Sequence, residues 1–198
     1  MLSRTIPMAD ADVRYYPGWF SRNTADAYYS TLKSELCWRQ DSIKLFGKRM
    51  QIPRLQAWYG DPHCHYAYSG LALTPLPFHP VLSSIRKKLE KELSAQFNCV
   101  LCNWYRDGQD SMSFHSDDEP ELGDKPTIAS ITFGEKRNFD FKHKSTGEKC
   151  RLGLEHGSLL IMAGDTQKHY VHGINKTKRV TAPRINLTYR YITPHYER

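Results

Sequence analysis

Two stretches in the first half of the chain carry apolar residues at helical spacing. The first follows Asn23, a residue type that can cap a helix, and the second starts at Pro80, because proline suits the first helical position. Their apolar positions are Ala25, Tyr29, Leu32 and Leu36 in the first, and Leu82, Ile85, Leu89 and Leu93 in the second. Each pattern predicts an amphipathic helix with one face against a core.

Beyond Asn98 the pattern changes to short runs that alternate between apolar and polar residues and are separated by glycines. The predicted strands are Cys99–Tyr105, Ser113–Ser116, Thr127–Phe133, Arg137–His143, Lys149–Leu154, Ser158–Met162, His169–Ile174 and Arg184–Ile192. Short strands with turn signals favour a jelly roll or barrel over a βαβ fold. Since the helices come first, we expect a mainly β, α+β protein: a double-stranded β-helix (jelly roll) braced by N-terminal helices.

The segments before these strands are less regular. Residues 1–12 are expected to be a loosely held tail, and Val13–Phe20 an early strand. Trp38–Phe46 and Arg49–Tyr59 are expected to form a hairpin, which Pro53 confines to an edge or a bulge. Gly60–Pro80 is rich in proline and aromatic residues and is expected to be a long functional loop. We thus expect residues 1–198 to form a single domain, with helices and a nucleotide-recognition lid in 1–97 and the catalytic core in 98–192.

Composition and charge narrow the cellular setting. The 198 residues carry a net charge of +7, from 28 Lys and Arg against 21 Asp and Glu, which favours a polyanionic partner such as nucleic acid. Five scattered cysteines argue against a disulfide framework and for a reducing compartment. No apolar run reaches membrane-spanning length, so we expect no membrane partner. The expectation is a monomer, cytoplasmic if bacterial, and in nucleus and cytoplasm if eukaryotic.

The residues with the most chemistry are His115 and Asp117. Two apart on a strand, they would project to the same side and supply two-thirds of a 2-His-1-carboxylate site for non-haem Fe(II). A second histidine must come from further along the chain, and the spacing alone does not choose among the candidates. These are His143, His156, His169, His172 and His195.

A second unusual stretch is the strand Arg184–Arg190. Its alternation puts two arginines, an amide and a hydroxyl on one face, at Arg184, Asn186, Thr188 and Arg190. Burying a guanidinium without an anion is costly, and arginine grips carboxylates through two parallel hydrogen bonds. Two arginines along one strand therefore suit a ligand with a carboxylate at each end. Beside an Fe(II) site, 2-oxoglutarate with O2 is such a co-substrate.

Together these stretches make the chain resemble the AlkB family of Fe(II)/2-oxoglutarate dioxygenases, most of all the members that repair alkylated single strands. The matching residues are Pro53–Gly60, Tyr66-x-Tyr68-Ser69, Asn103-Trp104-Tyr105, His115–Glu119, His172 and Arg184–Arg190. The resemblance implies that His115, Asp117 and His172 hold the iron, which selects His172 over His169. It implies that 2-oxoglutarate is held by Asn103, Tyr105, Arg184, Asn186, Thr188 and Arg190. It also implies that the substrate base is held by Trp38, Arg54, Tyr66, Tyr68, Asp118 and Glu119.

The activity implied is oxidative demethylation of 1-methyladenine and 3-methylcytosine, with release of formaldehyde, succinate and CO2. The expected partner is alkylated DNA, single-stranded in preference, with RNA left open. These bases are cations at neutral pH, so Asp118 and Glu119 suit them as counter-charges. Two alternatives remain: a 2-oxoglutarate-dependent hydroxylase of a protein or small molecule, and a nucleic-acid-binding jelly roll without a metal.

Overall fold

The computed structural model describes residues 3–45, 48–68 and 71–194, with the backbone alone for 44–45, 48, 66–68 and 71–72. Its helices are α1 (Arg22–Glu35), α2 (Pro80–Leu93) and α3 (Thr166–His169). Its strands are β1 (Arg4–Thr5), β2 (Asp12–Tyr16), β3 (Ser42–Leu45), β4 (Lys48–Gln51), β5 (Leu55–Gly60), β6 (Tyr66–Tyr68), β7 (Leu71–Leu73), β8 (Cys99–Tyr105), β9 (Met112–His115), β10 (Ile128–Gly134), β11 (Arg137–His143), β12 (Lys149–Leu154), β13 (Ser158–Ala163), β14 (Tyr170–Ile174) and β15 (Arg184–Arg190). Among the described residues, none of the helices has the length and apolar character needed to cross a bilayer.

The strands form two main antiparallel sheets. The larger has the order β1-β2-β13-β10-β15-β8-β5, and the smaller has the order β12-β11-β14-β9. The eight strands predicted after Asn98 are all present, with ends that differ from the prediction by at most two residues. Four of them lie in each sheet, which confirms the jelly roll.

Two apolar layers hold this architecture together. One layer lies between the larger sheet and the helices, and β15 contributes Ile185, Leu187 and Tyr189 to it. The other lies between the two sheets. Leu32 of α1 and Leu82 of α2 are fully buried in the first layer, so the helices brace the larger sheet as expected. The opposite, polar face of β15 is therefore left to face the space between the sheets.

The ends of the helices follow ordinary capping chemistry. Pro80 is the first residue of α2, as predicted, and His79 precedes it as the cap. In α1 the cap is Ser21 and not Asn23, because the Ser21 hydroxyl accepts a hydrogen bond from the Thr24 N–H. This shifts the start of α1 by two residues and leaves its buried face unchanged.

The N-terminal prediction was wrong. Part of the expected tail forms β1, which pairs with β2, and β2 pairs in turn with β13. The Ile6 N–H donates to the Val13 carbonyl at 2.9 Å, and the Ile6 side chain is buried. The buried isoleucine and the pairing of β1 with β2 together hold this segment on the larger sheet.

The segments between α1 and α2 also differ from their predictions. The expected long hairpin stops at β3 and β4, because Pro53 interrupts it, and β5 instead pairs with β8 as the edge of the larger sheet. The expected loop Gly60–Pro80 contains a second small hairpin of β6 and β7. The β6–β7 hairpin lies within the segment predicted as the lid, and its role as a lid stays a prediction.

Candidate metal centre and co-substrate pocket

Three predicted ligands converge at one end of the smaller sheet. His115 ends β9, and His172 lies directly opposite it on the neighbouring β14. Nε2 of His115 is 4.0 Å from Oδ1 of Asp117, and Nε2 of His172 is 3.8 Å from Oδ2. One ligand atom from each residue lies within 4.8 Å of the other two. A metal about 2.1 Å from each donor bridges donors up to about 4.2 Å apart, so the cluster has nearly the size that an ion needs.

Tertiary contacts place Asp117, because β9 ends at His115 and does not extend to it. The Asp117 N–H donates to Oε1 of Gln167 at 2.9 Å, and the neighbouring Ser116 hydroxyl donates to the Tyr170 carbonyl at 3.0 Å. Arg190 donates to Oδ1 of Asp117 at 2.5 Å. His115 and Asp117 thus point to the same side, as predicted, but these contacts and not strand alternation orient Asp117.

The protonation states suit metal ligands. Burial alone would raise the pKa of Asp117, but Arg190 and the two histidines lower it below its ordinary value, so the carboxylate stays ionised. Burial, with the nearby His115, lowers the pKa of His172 to about 3, so its imidazole is neutral at pH 7. Metals bind carboxylates and neutral imidazoles in these same forms.

Lone pairs are also available for an ion. Nδ1 of His115 lies 2.9 Å from the Ser113 carbonyl, to which it can only donate, and the free lone pair is then on Nε2. Oδ2 of Asp117 is buried and has no hydrogen-bond partner in the part of the chain that the structure describes. Two imidazoles and one carboxylate are the donor set of non-haem Fe(II), so these residues fit that metal.

A second cluster of possible ligands does not have the same properties. Asp10, His143 and His169 also approach within 4.8 Å, with 3.6 Å between Oδ2 of Asp10 and Nε2 of His143. However, Nδ1 of His143 accepts hydrogen bonds from the N–H groups of Ser145 and Thr146. The proton must then be on Nε2, which is a donor toward Asp10 and not a ligand.

The remaining histidine candidates lie away from the metal centre. His169 belongs to the second cluster, where its ring stacks on that of His143. Nδ1 of His156 accepts from the Gly134 N–H, and its Nε2 lies 3.1 Å from Asp26. His195 is outside the described residues.

A narrow cleft opens beside the three ligands, between the two sheets. Its lining includes the polar residues Asn103, Tyr105, Ser130, Asn186, Thr188 and Arg190. Along β15, Nδ2 of Asn186 donates to Oγ1 of Thr188, and the Ser130 hydroxyl donates to Oδ1 of Asn186. The polar face predicted for β15 therefore lines the cleft, directly next to the candidate metal centre.

Arg184 supplies the test of whether this cleft fits a dicarboxylate. It is fully buried beside Tyr105, and its Nη2 donates to Oγ1 of Thr132 at 2.8 Å and to Oδ1 of Asn186 at 2.7 Å. Its Nε and Nη1 have no hydrogen-bond partner among the described residues. Burial lowers its pKa to about 10, although Tyr105 opposes this shift. A buried guanidinium with two unfilled donors calls for an anion, and a carboxylate of 2-oxoglutarate has the right geometry.

Arg54 lies behind this pocket. It is buried, its Nε donates to Oδ1 of Asn103 at 2.9 Å, and its Nη1 donates to the Ser111 carbonyl at 3.3 Å. These contacts orient Asn103, which lines the cleft. A direct contact between Arg54 and a substrate base stays a prediction.

The predicted base-binding residues are less closely gathered. Asp118 is exposed and pairs with Lys144 at 3.2 Å, whereas Glu119 is half-buried and precedes the short 3-10 turn at Pro120–Leu122. Trp38 packs against Trp104 on the helix side of the larger sheet, away from the cleft lining. A contact between Trp38 and a base stays a prediction. The side chains of Tyr66 and Tyr68 lie outside the described residues.

Several site residues were missed by the sequence reasoning. Ser130 and Thr132 come from β10, where polar residues alternate with buried apolar ones, and that alternation was a usable signal. Phe139 stacks on the His172 ring with centroids 5.2 Å apart. Gln167 had no signal, because its role depends on α3 lying beside the Asp117 loop.

A jelly roll with two imidazoles and one carboxylate beside an arginine-lined cleft defines the class of non-haem iron oxygenases. In agreement, the family model for the 2OG-Fe(II) oxygenase superfamily matches residues 12–190. The chain is 42% identical over 190 residues to the mouse (Mus musculus) DNA oxidative demethylase ALKBH2, covering 90% of this chain and 80% of the relative. It is 37% identical over 198 residues to the human (Homo sapiens) alpha-ketoglutarate-dependent dioxygenase alkB homolog 3, covering 95% and 68%.

The solved structure of OsALKBH1 has the same fold, with a TM-score of 0.61 at 17% identity, and covers 90% of this chain and 97% of that one. The chain belongs to the AlkB family within the 2OG-Fe(II) oxygenase superfamily. It is accordingly an Fe(II)/2-oxoglutarate-dependent dioxygenase that uses O2.

Proposed function

We propose that the protein is an oxidative demethylase of alkylated bases in DNA, with 1-methyladenine and 3-methylcytosine as its substrates. Relatives that share about 40% of its residues carry the name DNA oxidative demethylase. The observation that carries the proposal is the cluster of His115, Asp117 and His172 beside the unfilled donors of Arg184. That arrangement supports both the metal and the co-substrate that such a demethylase needs.

With iron bound, 2-oxoglutarate and O2 would be consumed to give succinate, CO2 and the oxidation of an N-methyl group to N-hydroxymethyl, with the oxygen atom taken from O2. The hydroxymethyl group then leaves as formaldehyde and restores the base. The protein's own residues hold the reactants. His115, Asp117 and His172 hold the metal, Arg184 with Tyr105 and Asn103 binds one carboxylate of the co-substrate, and Arg190, with Asn186 and Thr188, binds the other.

The substrate class follows from charge and exposure. Asp118 follows the metal ligand Asp117 directly, and its side chain is 59% exposed, so it can face a base that approaches the metal. A carboxylate there favours the cationic methylated bases. A methylated Watson–Crick edge pairs poorly, which lowers the cost of flipping the base out of a stack. We expect single-stranded DNA to be preferred and RNA to be a second substrate.

The decisive experiment supplies Fe(II), 2-oxoglutarate and a single-stranded oligonucleotide with one 3-methylcytosine. Formaldehyde, succinate and restored cytosine are then measured by mass spectrometry and should appear in equal amounts. Succinate without restored cytosine on any methylated oligonucleotide would favour a protein or small-molecule hydroxylase, and no succinate at all would refute an active oxygenase.

A matched pair of variants tests the metal assignment within the same experiment. His172→Ala should abolish turnover and Mn(II) binding, because it removes one of three ligands. His169→Ala lies three residues earlier, outside the candidate centre, and should retain both. Equal loss in the two variants would contradict the choice of His172.

A further inference from the structure

Lys144 lies next to the candidate site without belonging to it. It follows β11, and its ammonium group is 3.2 Å from Oδ2 of Asp118. The same ammonium donates to the Gln167 carbonyl at 2.8 Å, and the Lys144 N–H donates to the His169 carbonyl at 2.7 Å. Three contacts to α3 and the Asp117–Asp118 loop thus fix the position of this positive charge.

Most surface lysines are not restrained in this way. An isolated exposed ion pair gains little, because holding two long side chains in one geometry costs entropy. Here the Gln167 carbonyl already holds the ammonium group, so pairing with Asp118 has a smaller additional cost. The Lys144 side chain is 34% exposed, against 59% for Asp118, which leaves the carboxylate open on its outer side.

The pairing has a consequence for substrate choice. If Asp118 faces the base, then a cationic base that enters the site meets a carboxylate already paired with a cation. Binding becomes an exchange in which the base must compete with the ammonium group for the carboxylate. A neutral base gains less from the carboxylate and therefore loses less through this competition.

We propose that Lys144 is a positioning residue that determines lesion selectivity, because it holds Asp118 as an ion pair and so limits the preference for cationic over neutral methylated bases. The proposal rests on the proposed demethylase function and on Asp118 facing the base. It adds a residue that acts through Asp118 and touches neither iron nor co-substrate.

The test compares two lesions that share a pyrimidine ring and a methyl group at N3 but differ in charge. These are 3-methylcytosine, a cation at neutral pH, and 3-methylthymine, which is neutral, each in the same single-stranded oligonucleotide. The readout is the ratio of their kcat/KM values for the holoenzyme. In Lys144→Met this ratio should rise about three- to fivefold, and in Lys144→Arg it should stay at the wild-type value.

Two control variants separate this role from simpler ones. Lys142→Met removes the same charge two residues earlier, at an exposed position on β11, and should leave the ratio unchanged. Asp118→Asn removes the group through which Lys144 acts, so adding Lys144→Met to it should have no effect on the ratio. Mn(II) affinity measured in Lys144→Met should equal that of the wild type.

The outcomes differ clearly. An unchanged ratio in Lys144→Met would overturn the proposal, and so would an equal loss on both lesions, which would instead indicate a phosphate contact or a weakened metal centre. A change that persists in the Asp118→Asn background would also overturn it. Failure of the wild type to demethylate either lesion would refute the proposed function and not this inference.

Discussion

Replacing Arg184 is expected to raise the stability of the unliganded protein and to lower its affinity for 2-oxoglutarate. In Arg184→Met, the buried charge is removed while an unbranched apolar side chain is kept. Burial lowers the pKa of Arg184 to about 10, well below its ordinary value, which corresponds to about 3 kcal/mol that opposes the charged form in the protein without ligand. Removing the charge relieves this cost.

The substitution also removes two hydrogen bonds. Oγ1 of Thr132 loses its donor, whereas Oδ1 of Asn186 keeps the Ser130 hydroxyl. Leaving one buried hydroxyl without this donor costs about 1 kcal/mol. The variant without ligand should therefore be more stable than the wild type by about 1–2 kcal/mol, and its Tm should be higher by a few degrees.

Addition of 2-oxoglutarate should reverse the order. At a ligand concentration of about 100 times Kd, the wild type with Mn(II) gains about 2.7 kcal/mol. The variant has lost the two donors that would pair with a carboxylate, and its affinity should fall about 30- to 100-fold. Differential scanning fluorimetry with and without 2-oxoglutarate measures both effects, and calorimetric titration gives the Kd directly.

Arg137 is the matched control, since it is also buried and also packs against Tyr105. Its guanidinium donates to the carbonyls of Asp107, Asp110 and Asn175, so the protein itself satisfies it. Arg137→Met should destabilise the protein by about 3 kcal/mol and leave the Kd for 2-oxoglutarate unchanged. A wild-type Kd for 2-oxoglutarate in Arg184→Met would contradict the assignment of Arg184 to the co-substrate. A destabilisation of the unliganded protein equal to that of Arg137→Met would contradict it as well.

Three further expectations concern the metal and the core. Gln167→Met removes the acceptor of the Asp117 N–H, and Mn(II) affinity measured by titration should fall about tenfold. An unchanged affinity would show that the Asp117 loop keeps its position without this hydrogen bond. Leu82→Ala opens a cavity beneath α2 and should cost about 3 kcal/mol in chemical unfolding, whereas Lys87→Ala on the exposed side should cost under about 0.5 kcal/mol; similar costs would contradict the packing described. Removing metal with a chelator should weaken 2-oxoglutarate binding in calorimetry by at least about tenfold, and equal affinity with and without metal would exclude direct coupling.

Much of the fold could be predicted because the strands after Asn98 alternate cleanly between the two sheet faces. In β15, the apolar side chains pack under the helices, whereas Asn186, Thr188 and Arg190 line the cleft. A period of two in the sequence is a direct consequence of strand geometry, so no tertiary information was needed. The same alternation predicts the pair of inward arginines from the order of residues alone.

The parts that could not be predicted are those fixed by contacts between distant segments. The N-terminal segment is short and mostly polar, and it is ordered by the burial of Ile6 and by the pairing of β1 with β2. The cap of α1 depended on which of two suitable residues, Ser21 or Asn23, accepts an N–H of the first turn, and Ser21 accepts that of Thr24. Local composition does not reveal either outcome. In each case two local structures have similar free energies, and tertiary packing decides between them.

The charges of the site explain why metal and co-substrate belong together. Asp117, Arg184 and Arg190 together carry one net positive charge, although all three are buried. A divalent metal ion would raise the net charge to +3, and the dianion 2-oxoglutarate would return it to +1. The charge that one of the two brings into the site is thus offset by the other. Arg190 holds Oδ1 of Asp117, while Oδ2 keeps its lone pairs for the metal. Arg190 can thus orient the Asp117 carboxylate while that carboxylate coordinates iron. Metal binding therefore need not displace Arg190 from the cleft, where it would bind a carboxylate of 2-oxoglutarate.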